Sequence, residues 1–160
     1  MPTVDLVDET FVVVDRARLA AVVADPQRWR RWWPDLEVTV FMDRGLDGIR
    51  WSAVGGYVGS VEIWLEPHGD GVLVHHYQRL DAVDPRTGSP RAESSDLADR
   101  RRAGRERDRR ARAWKRTIWA LKDELEDGRA PGEPRTIVAD GGSPADPGRA
   151  APGEAPPASA

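Results

Sequence analysis

Two segments far apart in the chain constrain its fold more than anything between them. The first, Asp25-Pro26-Gln27-Arg28-Trp29-Arg30-Arg31-Trp32-Trp33-Pro34-Asp35, places three tryptophans within five residues. The second carries Trp114, Ile118, Leu121 and Leu125, which step by four, three and four, the period of one face of an α-helix. Only strand-like runs lie between them. A Trp-rich turn, then antiparallel strands, then one long amphipathic helix specifies an α+β fold. Its sheet is curved, antiparallel and wrapped around the C-terminal helix, with two short helices after the first strand. Such a sheet can enclose a small-molecule cavity.

The individual elements read as follows. Thr10 to Asp15 is short and β-branched and predicts the first strand. Asp15 then stands where an N-cap acceptor belongs, ahead of a helix whose Leu19, Val22 and Val23 share a face. Asp25 caps a second helix that Pro26 begins and Pro34 ends; Trp29, Trp32 and Trp33 fall on one side of it. Four alternating runs follow, around Val38–Asp43, Ile49–Val54, Ser60–Glu66 and Val72–Leu80, separated by glycine-bearing turns. Short sequential connections favour antiparallel pairing. Ser94, Ser95 or Asp96 caps a helix predicted from about Leu97 to Asp127, frayed or bent at Gly104 and closed by Gly128 and Pro131.

Composition divides the chain. Residues 129–160 hold seven Pro, five Gly and eight Ala, too little apolar surface to offset the entropy of ordering. The expectation is a ligand-binding domain over 1–128 and a disordered tail over 129–160, with Ile137-Val138 its only apolar pair. The net charge of −3 argues against whole-protein attraction to nucleic acid. No cysteine is present, which removes disulfides and thiolate chemistry, and the three histidines form no metal-binding cluster. Neither a cofactor nor a metal is expected. The N-terminus has no basic region leading into an apolar run, and no run is long enough to span a membrane, so a cytoplasmic location is the default.

Several residues carry chemistry. Trp29, Trp32 and Trp33 form either one wall of an aromatic cavity, with indole N–H groups turned to a ligand, or plain core. Residues 100–116 hold ten Arg or Lys against two acids. They read as a solvated face whose long side chains snorkel over the sheet edge, as a phosphate-binding helix, or as a cavity mouth. In the last case Arg107 and Arg110, seven and four residues before Trp114, extend the apolar stripe and pair with a ligand carboxylate or phenolate. His76 falls on the more apolar strand face and His75 on the other. An inward His76 beside Gln78 orients a ligand oxygen, acts as a general base, or is a hydrogen-bonded structural group. Glu62 and Glu66 share a face beside Trp64 and more naturally meet water.

With these residues in view, the chain resembles the polyketide cyclase/dehydrase and lipid-transport family of the START-like (SRPBCC), helix-grip superfamily. The resemblance rests on Asp25-Pro26-x-x-Trp29-x-x-Trp32-Trp33-Pro34 and on Trp114-Lys115 followed by Ala120-Leu121-Lys122-Asp123-Glu124-Leu125-Glu126. Gly59-Ser60-Val61-Glu62-Ile63-Trp64-Leu65-Glu66-Pro67 and Val72 to Tyr77 add a likeness to small actinobacterial members. It spans about residues 5–127 and implies a cavity for lipids, polyketides or other hydrophobic molecules. Two departures, fewer strands and a strongly basic helix start, point to a smaller or anionic ligand. The expected lining is Trp29, Trp33, Trp51, Val61, Ile63, His76, Gln78, Trp114 and Ile118, with Arg107 and Arg110 at the mouth. The expected partner is a small hydrophobic molecule, with nucleic acid disfavoured and a homodimer allowed. An enzyme built this way performs aldol-type cyclisation or dehydration, with His76 moving a proton and Arg110 stabilising oxyanion charge. A third reading is an interaction protein with a filled core that uses the basic helix or Trp64 as its contact.

Overall fold

The computed structural model describes residues 2–91 and 96–135. Five antiparallel strands form one sheet in the order β1-β5-β4-β3-β2. They are β1 (Val4–Val12), β2 (Leu36–Asp43), β3 (Gly48–Gly55), β4 (Tyr57–His68) and β5 (Gly71–Ala82). Two short helices, α1 (Arg16–Val23) and α2 (Pro26–Trp32), connect β1 to β2, and the long α3 (Leu97–Leu125) follows the sheet. The α+β architecture, the two short helices and the long terminal helix on the sheet are those the sequence predicts.

Local chemistry sets the element boundaries. The Asp15 carboxylate accepts from the N–H groups of Ala17 and Arg18 and starts α1; Asp25 accepts from Gln27 N–H and starts α2, with Pro26 in the first turn. Of the three candidate caps for α3, Asp96 is the one in place, accepting from Ala98 N–H. α3 runs unbroken through Gly104, so the helix is not frayed there. The first strand is also corrected. It begins at Val4 rather than Thr10 and ends at Val12, because the inward positions Val4, Leu6 and Val12 are interrupted by Asp8 and Thr10. Asp8 is tolerated on the inner face because it accepts from the Trp114 indole N–H (3.2 Å) and pairs with Lys115 Nζ (2.5 Å).

Core residues come from one face of every strand and one stripe of α3. Ile49, Trp51 and Ala53 on β3, Val61, Ile63 and Leu65 on β4, and Val72, Val74 and Leu80 on β5 are buried against Trp114, Ile118, Leu121 and Leu125. Two strand glycines let the sheet curve tightly over the helix. Gly48 (φ +108°) and Gly59 (φ +153°) have a neighbouring carbonyl oxygen 2.0 Å and 2.1 Å from where a Cβ would sit, so any side chain there pushes adjacent strands apart. At the far end of α3, Lys122 Nζ donates to Phe11 O (2.8 Å) and Glu126 accepts from Val13 N–H (2.8 Å), fixing the helix to the end of β1. Residues 129–135 continue past the helix in a short turn. The rest of the Pro/Gly/Ala-rich stretch, with Ile137-Val138, and the alternative caps Ser94 and Ser95 lie outside the described residues.

Candidate functional site

Register across the sheet places the interior side chains. His76 pairs with Ile63 on β4 and with Asp8 on β1; Gln78 pairs with Val61 and Leu6. His76 and Gln78 therefore face α3, while His75 faces the opposite side, as alternation requires. The interior between sheet and helix is filled with rings. The His76 ring stacks on Trp114 at 3.7 Å with 11° between planes, and Trp33 lies nearly parallel to both at 6.0 and 6.3 Å. Trp51 meets Trp33 edge-on at 5.2 Å and Trp29 at 5.3 Å. Trp29 in turn donates its indole N–H to Val23 O (2.7 Å).

This packing corrects the expectation of an enclosed cavity. Trp51, Val61, Ile63 and Ile118 are fully buried core, and none of them lines the cleft beside α3. Trp29 is a half-buried prop under Trp51. A cleft of about 490 Å³ opens between the α2–β2 corner and the middle of α3. Four of the expected lining residues meet there: Trp33, Gln78, Arg110 and Trp114. Arg107 does not join them; it is exposed and pairs with Asp108. Its neighbour Arg109 lines the cleft instead.

Charge at the cleft is unevenly committed. Arg110 is buried under the rim, donating to Asp35 (2.5 Å) and Glu106 (2.8 Å), with its guanidinium 4.6 Å from the centre of the Tyr57 ring. Arg109 pairs with the same two carboxylates, and its hydrogen bond, above all, holds Glu106 below the usual carboxylate range. Arg31 and Arg116 also line the cleft; neither makes a salt bridge among the described residues, and Arg31 acts on Glu124 only as one of the nearby charges that lower its pKa. Below this rim the walls are Trp32, Trp33 and Trp114, and α3 contributes the small residues Ala113, Thr117 and Ala120. The signal for these last three in the sequence is their spacing of four and three, which marks a helix face with room beside it.

Under the cleft floor, several polar atoms lack partners. Trp33 Nε1, Trp51 Nε1, His76 Nδ1 and Gln78 Oε1 are buried and unbonded. The one contact within this group, Gln78 Nε2 to His76 Nε2, is long at 3.5 Å. Each buried unpaired group costs about 1–3 kcal/mol, so four together rival the net stability of a small domain. Burial also pushes the His76 pKa down from 6.5 to about 3, leaving the ring neutral at pH 7. An imidazole so weakly basic, stacked under Trp114, is poorly suited to take a proton from a substrate in the cleft.

The other sheet face carries a second cluster. His75 sits between Glu9 (3.0 Å to Nδ1) and Glu66 (2.8 Å to Nε2), with its ring on Trp64 at 4.5 Å. Glu62 pairs with Arg44. Both glutamates are thus engaged by neighbours rather than left to water alone. Among the described residues, no group of three or more His, Cys, Asp or Glu is arranged to hold a metal, and no helix is long and apolar enough to cross a membrane.

No protein-family model matches the chain, and no curated protein is detectably similar in sequence. Solved structures do share its path. DR_A0006 from Deinococcus radiodurans aligns at a TM-score of 0.52 with 14% identity, covering 78% of this chain and 99% of that one. The Aha1 dimer from Colwellia psychrerythraea aligns at 0.49 with 14% identity, over 79% and 99%. A START superfamily protein from Mycobacterium smegmatis aligns at 0.36 with 12% identity, over 77% and 97%. At these identities the likeness concerns the fold alone, and the argument for it rests on the first of the three.

Proposed function

We propose that the chain binds a small, flat, hydrophobic acid in the cleft between the α2–β2 corner and α3. One observation carries the reading: Trp32, Trp33 and Trp114 line one cleft with two arginines, Arg31 and Arg116, that make no salt bridge among the described residues. The walls offer apolar area and ring faces to an aromatic body. The arginines offer planar, permanently charged donors to a carboxylate at the rim. Arg110 and Arg109 contribute differently. Asp35 pairs with both and ties the α2–β2 corner to α3, so these two arginines shape the site rather than supply its free charge. The volume of about 490 Å³ is ample for one or two fused rings.

The test is a calorimetric titration of 2-naphthoate into the full chain at low salt. Saturable binding is expected, and replacing both free arginines (Arg31→Gln with Arg116→Gln) lowers the affinity at least tenfold while naphthalene binding stays within twofold. Absence of saturable 2-naphthoate binding at millimolar concentration contradicts the reading, and so does binding indifferent to the double replacement.

A further inference from the structure

The four unpartnered atoms beneath the cleft share one patch of the inner sheet face. Gln78 and Trp51 stand in a single cross-sheet row, because Gln78 registers with Val61 and Val61 with Trp51. At about 4.8 Å per strand their backbones are about 10 Å apart. The Trp33 ring occupies that span, 5.2 Å from the Trp51 ring and 6.0 Å from His76. Chemically the set is mixed: the two indole N–H groups only donate, Gln78 Oε1 only accepts, and His76 Nδ1 does either according to its tautomer. A patch that is polar, uncharged and unpaired from within is complementary to something other than its own side chains.

We propose that this ring stack is the collapsed form of an inner subsite, which takes an uncharged aromatic hydroxyl that donates to Gln78 Oε1 and accepts from the Trp33 indole N–H. The inference rests on the proposed function and adds the chemistry of the ligand's inner end. Hydroxyl fits best because one oxygen both donates and accepts. Uncharged follows because the buried cation of the cleft, Arg110, is committed to Asp35 and Glu106 and His76 is held neutral by burial, so an anion there would lose its hydration without return. The moving part is Trp33. It follows the last residue of α2 with a non-helical backbone (φ −132°, ψ 70°), and its ring is held by stacking with no hydrogen bond. A small change in its side-chain torsions opens room beside Gln78, which already lines the cleft with it.

Comparing 6-hydroxy-2-naphthoate with 2-naphthoate by calorimetry, on the full chain at pH 7, tests this. The hydroxylated compound should bind at least tenfold more tightly, and Gln78→Leu should bring that ratio within twofold. Equal wild-type affinities overturn the inference and leave the proposed function standing; a ratio unchanged in Gln78→Leu does the same. Binding of neither compound overturns both. If Gln78→Leu fails to fold by circular dichroism, the wild-type ratio decides, together with the nitrogen-edited NMR spectrum. The Trp33 indole resonance should move with the hydroxylated compound by more than with the plain one, and equal shifts overturn the inference.

Discussion

The His76 imidazole loses all contact with water on folding and is sandwiched with Trp114, so its proton affinity falls toward a pKa of about 3. The unfolded chain holds its proton up to about pH 6.5. The unfolded state therefore binds more protons between those values, and stability contributed by the neutral ring is complete above pH 6.5 and lost as pH falls toward 3. The full effect is on the order of 5 kcal/mol. Paired carboxylates act lower: Arg109 holds Glu106, and Arg28 holds Glu124, below the ordinary value of 4.5, so their stabilisation fades only below that pH. Chemical denaturation at pH 7 and pH 5 separates the two. Wild type should lose about 1–2 kcal/mol over that interval, and His76→Phe, which keeps a stacked ring and cannot titrate, should lose markedly less. An equal loss in both proteins contradicts the burial account. That His76 faces inward was legible from alternation along β5. That its ring is sealed by Trp114 was not, because the stack depends on which turn of α3 passes over β5.

At the scale of elements, α3 shows both the reach and the limit of periodicity. The steps from Trp114 to Leu125 locate the buried stripe correctly, and continuing them toward the helix start correctly brings Arg110 under the rim. The same extrapolation fails at Arg107, because beyond Arg110 the sheet no longer covers that side of the helix and Arg107 meets solvent and Asp108. The role of Asp35 was hidden for a different reason: it is a single acid after Pro34, and only the turn of the chain brings it to Arg110, 75 residues away. Removing the guanidinium leaves the Tyr57 ring face without its cation and leaves Glu106 and Asp35 to the more exposed Arg109. Arg110→Ala should therefore destabilise the protein by about 2–4 kcal/mol in equilibrium denaturation, and Arg110→Lys should recover only part of it, since an ammonium cannot bridge two carboxylates in the same planar fork. Full recovery by lysine would show that charge alone matters there. In the sheet, Gly59→Ala should cost about 1–3 kcal/mol by the same measurement, because a Cβ would sit 2.1 Å from Arg79 O. A neutral Gly59→Ala would mean that β4 and β5 yield easily at that point.

Across the whole molecule, strand pattern, caps and helix period were enough to specify sheet, helices and their order. The state of the interior was not, since it depends on how four tryptophans from three elements divide one volume. Trp29 and Trp33 come from α2 and its exit, Trp51 from β3 and Trp114 from α3, and their combined packing closes the deep space while sparing the cleft at its edge. The central claim is thus spatial: ligand enters beside α3 over Trp32, Trp33 and Trp114, and nowhere near Trp64 on the outer sheet face or the exposed Trp119. Seven indole N–H resonances report on this at once, one for each tryptophan. Titrating 2-naphthoate into the nitrogen-15-labelled full chain should shift the assigned signals of Trp32, Trp33 and Trp114 saturably and leave those of Trp64 and Trp119 in place. Shifts centred on Trp64 or Trp119, or no saturable shift at any of the seven, would contradict the account.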